Sequence, residues 1–239
     1  MPRPDGRAPD QLRALSFDLN APGLAAGRVL ARLGNTLVLC TCSVEPKVPD
    51  FLVGTGKGWL TAEYNMLPGS TSPRKQREKA KPDGRSVEIQ RLIGRSLRAI
   101  VNLERLGERT LWIDCDVLQA DGGTRVTSIS GAYLALCLAL QNSRAMANLT
   151  VTDVVRDSVA AVSVGIAEGQ PILDLNYLED RDADVDMNLV MTGSGQLIEI
   201  QAGGEEATFT TDQFAQLLSL GQKGIAAVTQ AQMAAINRI

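Results

Sequence analysis

No histidine occurs among the 239 residues of this chain. That absence removes Ser-His-Asp and Cys-His nucleophilic catalysis, the helical HExxH zinc site and every imidazole-ligated metal. Any chemistry here runs on carboxylates, arginines, lysines or groups of the substrate. The four cysteines, Cys40, Cys42, Cys115 and Cys137, make one C-x-C and no C-x-x-C. That pattern excludes a zinc ribbon and a thioredoxin-like pair, and the four read as small buried hydrophobes. No apolar run approaches the roughly 18–20 residues that span a bilayer, and the first residues lack the apolar stretch of a secretion signal. The expectation is a protein with no membrane association and a cytoplasmic location. A Walker loop, G-x-x-x-x-G-K-[ST], is also missing.

What is present is an ordinary globular composition: 44% hydrophobic residues, with 24 Lys and Arg against 27 Asp and Glu, a net charge of −3. At roughly 100–200 residues per domain, the length fits one large domain or two fused halves. Leu15, Phe17 and Leu19 alternate with polar residues, as do Val29, Ala31 and Leu33 before the Gly34-Asn35 turn, and Thr36 to Val44 is β-branched and apolar. Another strand is expected over 57–67, then an exposed loop over 72–85. From Val87, the residues Ile89, Leu92, Ile93, Leu97 and Ile100 recur at helical spacing, with Arg91, Arg95 and Arg98 largely opposite. A strand over 111–118, the turn Asp121-Gly122-Gly123 and a helix over 127–141 follow. After a polar connection over 142–157, strands are expected at 159–166, 172–178, 186–192 and 196–201. A long helix then opens at Thr211-Asp212, with Gly221 and Gly224 as candidate breaks. Hairpins followed by helices occur twice. This predicts an α+β fold of two similar halves, about 10–142 and 157–239, packed as one unit.

Three constellations carry chemical content. In Asp121-Gly122-Gly123-Thr124-Arg125 two glycines permit a tight turn, the next helix offers unpaired N–H groups to an anion, and Arg125 adds a forked donor. Read alone, it is equally an ordinary strand-to-helix turn with a surface arginine. The stretch from Pro73 to Arg85 holds six basic residues, among them Arg74 and Arg77, against two acidic ones. It suits a polyanion or serves solubility. Arg85 stands apart at the start of the basic-faced helix, where it can share an anion with Arg125. The run from Glu179 to Asp186 carries five carboxylates and one arginine. Oxygen-rich sites suit Mg²⁺, although an acidic turn without function has the same composition. It is not a calcium EF-hand, because Val185 stands where the obligatory glycine would be. Together, two arginines on a Gly-Gly turn beside an acidic pair describe equipment for phosphoryl transfer.

The runs G-W-L-T-A-E-Y at Gly58–Tyr64, E-I-Q-R-L-I at Glu88–Ile93 and D-C-D-V-L-Q-A-D-G-G-T-R at Asp114–Arg125, together with Glu179-Asp180 through Asp186-Met187-Asn188, resemble the bacterial ribonuclease PH family over nearly the whole chain. The resemblance implies a phosphate site made by Arg85, Gly123, Thr124 and Arg125. Asp180 and Asp186 would be the catalytic, metal-associated carboxylates, with Mg²⁺ as the metal. It also implies β-α-β-α halves, a homohexameric ring built as a trimer of dimers, and a nucleotidyltransferase that trims 3′ ends of tRNA precursors and rRNA. Inorganic phosphate would attack, nucleoside 5′-diphosphates would leave, and the reverse addition would be open; the basic loop with Arg74 and Arg77 would bind RNA. A non-catalytic RNA-binding ring subunit of an exosome-like assembly is the competing reading. Two departures from the family pattern stand out. Gln201-Ala202-Gly203-Gly204-Glu205-Glu206 replaces the usual Q-G-T-A-E-G, and Gly69 replaces a frequent arginine.

Overall fold

The computed structural model describes residues 3, 5–77 and 83–237. β1 (Leu15–Asp18), β2 (Gly27–Leu33), β3 (Thr36–Glu45), β4 (Trp59–Met66) and β5 (Thr110–Gln119) form one sheet in the order β1-β2-β3-β5-β4. All neighbours are antiparallel except β4 and β5. Between these last two strands the chain forms α1 (Gly84–Ile100) and the short α2 (Leu103–Leu106), and after β5 comes α3 (Thr124–Asn142). The second half holds α4 (Val151–Val154), β6 (Val159–Ala167), β7 (Gln170–Leu173), α5 (Tyr177–Asp182), β8 (Val185–Thr192), β9 (Leu197–Gly204) and α6 (Thr211–Ile236). Its sheet is antiparallel in the order β7-β6-β8-β9. This is the α+β architecture expected, each half a sheet closed by a long helix.

α3 lies between the two sheets, packed on β2, β3 and β5 on one side and on β6 on the other. Every residue from Val126 to Leu140 is therefore buried. The helical spacing of Ile129, Ala132, Leu136 and Leu140 traces one apolar stripe; a helix covered by sheets on both sides must be apolar all round, and the hydroxyls it carries turn inward. Ser128 Oγ donates to the Thr124 carbonyl at 2.8 Å, and Thr127 Oγ1 to that of Gly123 at 2.9 Å. The sheet comes so close that a Cβ at Gly27 of β2 would stand 1.8 Å from the carbonyl oxygen of Ala135. The four cysteines are buried and unpaired, as read from their spacing.

Four expectations need correction. The strand expected over 172–178 ends at Leu173: Asp174 takes a left-handed conformation, φ 59°, and Asn176 caps α5, accepting from the N–H groups of Leu178 and Glu179 at 3.0 Å. The acidic run is thus divided, Asp180 on a helix and Asp186 on a strand. The polar connection over 142–157 is not structureless, since α4 buries Val154 beneath a Thr150–Asp153 capping box. Gly221 and Gly224 do not break α6; they let it approach Leu189 and Leu173, whose side chains a Cβ there would meet at 2.6 and 2.7 Å. The loop expected to reach Arg85 stops earlier, because Asp83 caps α1 by accepting from Ser86 N–H at 2.6 Å.

Gly27→Ala is expected to destabilise the protein by about 1–3 kcal/mol, because the new methyl meets helix backbone rather than a movable side chain. A lowered urea midpoint at unchanged m checks this; an unchanged midpoint would mean that α3 can slide off β2.

Candidate active site

The anion side of the site is built where β5 runs into α3. Gly122 and Gly123 both have positive φ, 73° and 67°, a conformation that side chains disfavour. Gly122 faces a second constraint: a Cβ there would lie 2.6 Å from the carbonyl oxygen of Leu175 and 2.7 Å from the carbonyl carbon of Asn176. The turn therefore touches the chain leading into α5 backbone to backbone. Gly123 is the N-cap of α3, and no side chain caps that end, so the positive end of a long helix is presented to an external acceptor.

Thr124 and Arg125 open the helix. The buried Tyr64 hydroxyl donates to Thr124 Oγ1 at 2.8 Å, which leaves the threonine's own proton for another acceptor. Burial pushes the tyrosine hydroxyl above its usual pKa, against the pull of Thr124 and the charges of Arg85 and Arg125, so it stays a donor at neutral pH. Arg125 is held from α1 and β9: its Nη1 lies 3.4 Å from Glu88 Oε2 and donates to Gln201 Oε1 at 2.5 Å. Gln201 Nε2 donates in turn to Glu88 Oε1 at 3.2 Å. Arg85 is exposed in the first turn of α1. The cap of that helix is kept ionised by Lys75, whose hydrogen bond, followed by that of the Ser86 amide, holds the Asp83 carboxyl well below the usual carboxylate range.

The acidic side comes from the second half. Asp180 sits on α5, and Asp186 is the second residue of β8, opposite Gly203 of β9 and Gly165 of β6. Asp180 is exposed to solvent on one side. Even so, the surrounding protein and then the neighbouring Asp186 charge push its carboxyl above the usual range, while Arg85, Arg125 and Arg13 pull it down. A carboxylate whose proton affinity is raised by a neighbouring carboxylate fits a divalent cation between the two. Mg²⁺ takes one or two protein carboxylates and fills its other positions with water and substrate phosphates. Among the described residues no third Asp, Glu or Cys completes a ligand cluster.

The fold thus brings Arg85, Gly123, Thr124, Arg125, Asp180 and Asp186 to one place. Arg74 and Arg77 are exposed in the extended chain before α1, and among the described residues no contact joins them to that cluster. Lys79 and Lys81 of the same basic stretch lie outside the described residues. The altered Ala202-Gly203-Gly204 segment continues β9 in register with Asp186 and Val185, so the pairing survives the change. Gly69 has open space around it, with nothing within 4 Å of a Cβ placed there. Tyr64, Glu88 and Gln201 were not assigned roles from sequence. For Glu88 a signal existed, because it follows Arg85 by three residues on an expected helix and so shares its face. For Tyr64 and Gln201 there was none, since their partners lie 60 and 76 residues away.

The profile for the 3′ exoribonuclease family, domain 1, matches residues 11–142, and that for domain 2 matches residues 157–224. The chain is 53% identical over 236 residues to Ribonuclease PH of Crocosphaera subtropica, covering 99% of this chain and 98% of that one. It is 56% identical over 226 residues to Ribonuclease PH of Bacillus subtilis, covering 93% and 92%. Among solved structures it resembles a chain of the Archaeoglobus fulgidus exosome with RNA bound to the active site, with a TM-score of 0.79 at 22% identity, over 95% of this chain and 91% of that one. It also resembles rice (Oryza sativa) Rrp46, with a TM-score of 0.78 at 19% identity, over 97% and 98%. These two likenesses establish a shared fold.

Tyr64→Phe is expected to weaken binding of inorganic phosphate roughly two- to tenfold, the value of one hydrogen bond that orients the Thr124 proton. Titration calorimetry checks it; an unaltered Kd would separate Thr124 from the anion.

Proposed function

The chain belongs to the 3′ exoribonuclease family, and we infer that its candidate site carries out phosphorolysis of RNA ends between the Arg85–Arg125 pair and the Asp180–Asp186 pair. The protein is a phosphorolytic 3′-to-5′ exoribonuclease, a tRNA nucleotidyltransferase with inorganic phosphate as co-substrate. The observation that carries the residue assignment is that the Gly122 turn, which opens α3 with Thr124 and Arg125, packs backbone to backbone on Leu175–Asn176 while Asp121 Oδ1 accepts from Tyr177 N–H, so the start of α3 abuts the start of the Asp180 helix.

Phosphate and a phosphodiester are both anions, and two unit charges about 4 Å apart near a protein surface repel by roughly 4 kcal/mol. Arg85, Arg125 and the open end of α3 offset that repulsion and orient the nucleophile, so no histidine base is required. One phosphate oxygen attacks the terminal phosphorus in line. The new P–O bond forms as the bond to the 3′ oxygen of the preceding nucleotide breaks. The terminal nucleoside leaves as its 5′-diphosphate, and the freed 3′ oxygen takes up the proton that the attacking phosphate gives up. Mg²⁺ held by Asp180 and Asp186 would supply Lewis-acid stabilisation of the charge on the phosphoryl oxygens. Glu88 and Gln201 keep Arg125 extended toward the site. The step exchanges a phosphodiester for the phosphoanhydride of the diphosphate without consuming water, so the energy of the linkage is largely conserved, which supports reversal with nucleoside diphosphates as donors.

The proposal extends to the RNA path, the assembly and the setting of the reaction. Arg74 and Arg77 would guide RNA by charge alone, since they are exposed and outside the cluster. The homohexamer, a trimer of dimers, a single unit of halves 10–142 and 157–239, rRNA ends as further substrates and a cytoplasmic location complete it. No helix among the described residues is long and apolar enough to cross a membrane. The non-catalytic ring-subunit reading gains nothing from the exosome chains, whose identity is 19–22%.

With a 3′-extended tRNA, Mg²⁺ and phosphate, nucleoside diphosphates should accumulate; monophosphates released without phosphate would indicate hydrolysis and overturn the mechanism. Arg125→Ala or Asp180→Asn should lower kcat/KM on the order of a hundredfold, the usual effect of losing one preorganised charge-stabilising group, with the circular dichroism spectrum retained. Neutralising Arg74 and Arg77 together should reduce the slope of log K against log salt for tRNA by about 1–2; a slope equal to the parent's would remove them from the RNA path.

A further inference from the structure

Arg13 lies beneath the site, 7% exposed, and its guanidinium spends all three nitrogens on the seam between the halves. Nη1 donates to the Asp121 carbonyl, and Nη2 reaches that of Gly122 at 3.4 Å. From the same group, Nε donates to Asp174 Oδ2 at 3.0 Å and Nη2 to Asp174 Oδ1 at 2.7 Å, with the Leu175 carbonyl 3.2 Å from Nη2. The Arg13 amide completes the pair, donating to Asp174 Oδ2 at 2.7 Å. One side of this fork holds the turn that starts α3 with Gly123, Thr124 and Arg125; the other holds the residues that lead into α5 and Asp180.

Two neighbouring contacts make the seam a fixed spacing rather than a loose tether. Gly122 already stands against the Leu175–Asn176 backbone with no room for a methyl. Tyr177 N–H, the first of α5, donates to Asp121 Oδ1 at 3.3 Å. On the far side, Arg3 clamps Glu179, the residue before Asp180, through two hydrogen bonds of 2.7 Å, and donates to the carbonyls of Leu173 and Asp174 at 2.8 and 2.7 Å. A buried ion pair contributes little net stability against apolar replacement, but its geometry is specific. The arrangement therefore fits a role in setting distance better than a role in holding the fold.

We propose that Arg13 is a positioning residue for the phosphorolytic reaction: by bridging the Asp121 and Gly122 carbonyls to Asp174, it sets the separation between the phosphate-holding end of α3 and the Asp180 helix. The proposal rests on the reading of the site given above. Because Arg13 bonds Asp121, Gly122, Asp174 and Leu175 and not Thr124, Arg125, Asp180 or Asp186, its loss should leave both ligands bound and misalign them. A displacement of about 1 Å between reacting groups costs on the order of a hundredfold in rate.

The test compares the parent with Arg13→Met, Arg13→Lys and Asp174→Asn, full length, using inorganic phosphate and a 3′-extended RNA. For Arg13→Met we expect kcat reduced roughly ten- to a hundredfold, with the KM for phosphate and the Kd for RNA within about threefold of the parent. Arg13→Lys should fold like the parent yet recover only part of kcat, because an ammonium cannot span both partners. Asp174→Asn should lower kcat in the same pattern. Should Arg13→Met fail to fold, Arg13→Lys decides the matter: a parent-like kcat in that folded variant overturns the proposal. It is equally overturned if the loss lies in the KM for phosphate, or if kcat falls only in proportion to the folded fraction. A parent that releases no diphosphate would instead refute the functional reading on which the proposal rests.

Discussion

The burial of α3 between two sheets is the constraint from which the rest of the structure follows. A helix with no solvent face can carry polar side chains only where its own backbone or a neighbour satisfies them, and Ser128 and Thr127 do so by bonding back one turn. Its first turn, where the buried Thr124 and the half-buried Arg125 stand, meets the requirement through partners on other elements. There Thr124 turns to Tyr64 and Arg125 to Glu88 and Gln201. The same helix that joins the halves thus delivers its positive end, and two of the residues proposed to bind the anion, to the seam between them.

Charge placement around that seam is asymmetric in a useful way. The half that supplies α1 and α3 contributes cations; the half that supplies α5 and β8 contributes carboxylates. Within each set, like charges stand near each other, a cost that a phosphate on one side and a divalent ion on the other would relieve. The buried arginines of the N-terminal segment, Arg3 and Arg13, are fully paired with Glu179 and Asp174. They hold the acidic side in place without competing for substrate. A histidine-free chain can run this chemistry because the nucleophile is already an anion and needs neutralisation and alignment more than activation.

Much of this was legible in the residues themselves. The hairpin about Gly34-Asn35, the apolar stripe of α1, the Gly-Gly turn and the strand pair 186–192 and 196–201 were all visible because turn chemistry and side-chain periodicity are local. The residues of the cluster were recognisable in the D-G-G-T-R run, in Arg85 and in the acidic run, each with a bland alternative when read alone. What misled was also local: Ile172 to Leu178 has the composition of a strand, but Asp174 adopts a left-handed turn under the hold of Arg13 and Arg7. Residues 127–141 showed one apolar stripe where burial surrounds the helix.

Sequence by itself determined most of the element types, the exclusion of histidine chemistry and the identity of the charged groups that meet at the site, since all of these depend on residue kinds and on neighbours a few positions apart. Only the tertiary structure decided that Arg125 is braced by Glu88 and Gln201, that Tyr64 orients Thr124, and that Arg13 ties the Gly122 turn to Asp174. Those partners are separated by 37 to 161 positions in the chain, and nothing in local propensity or spacing encodes which distant groups two packed sheets will press together.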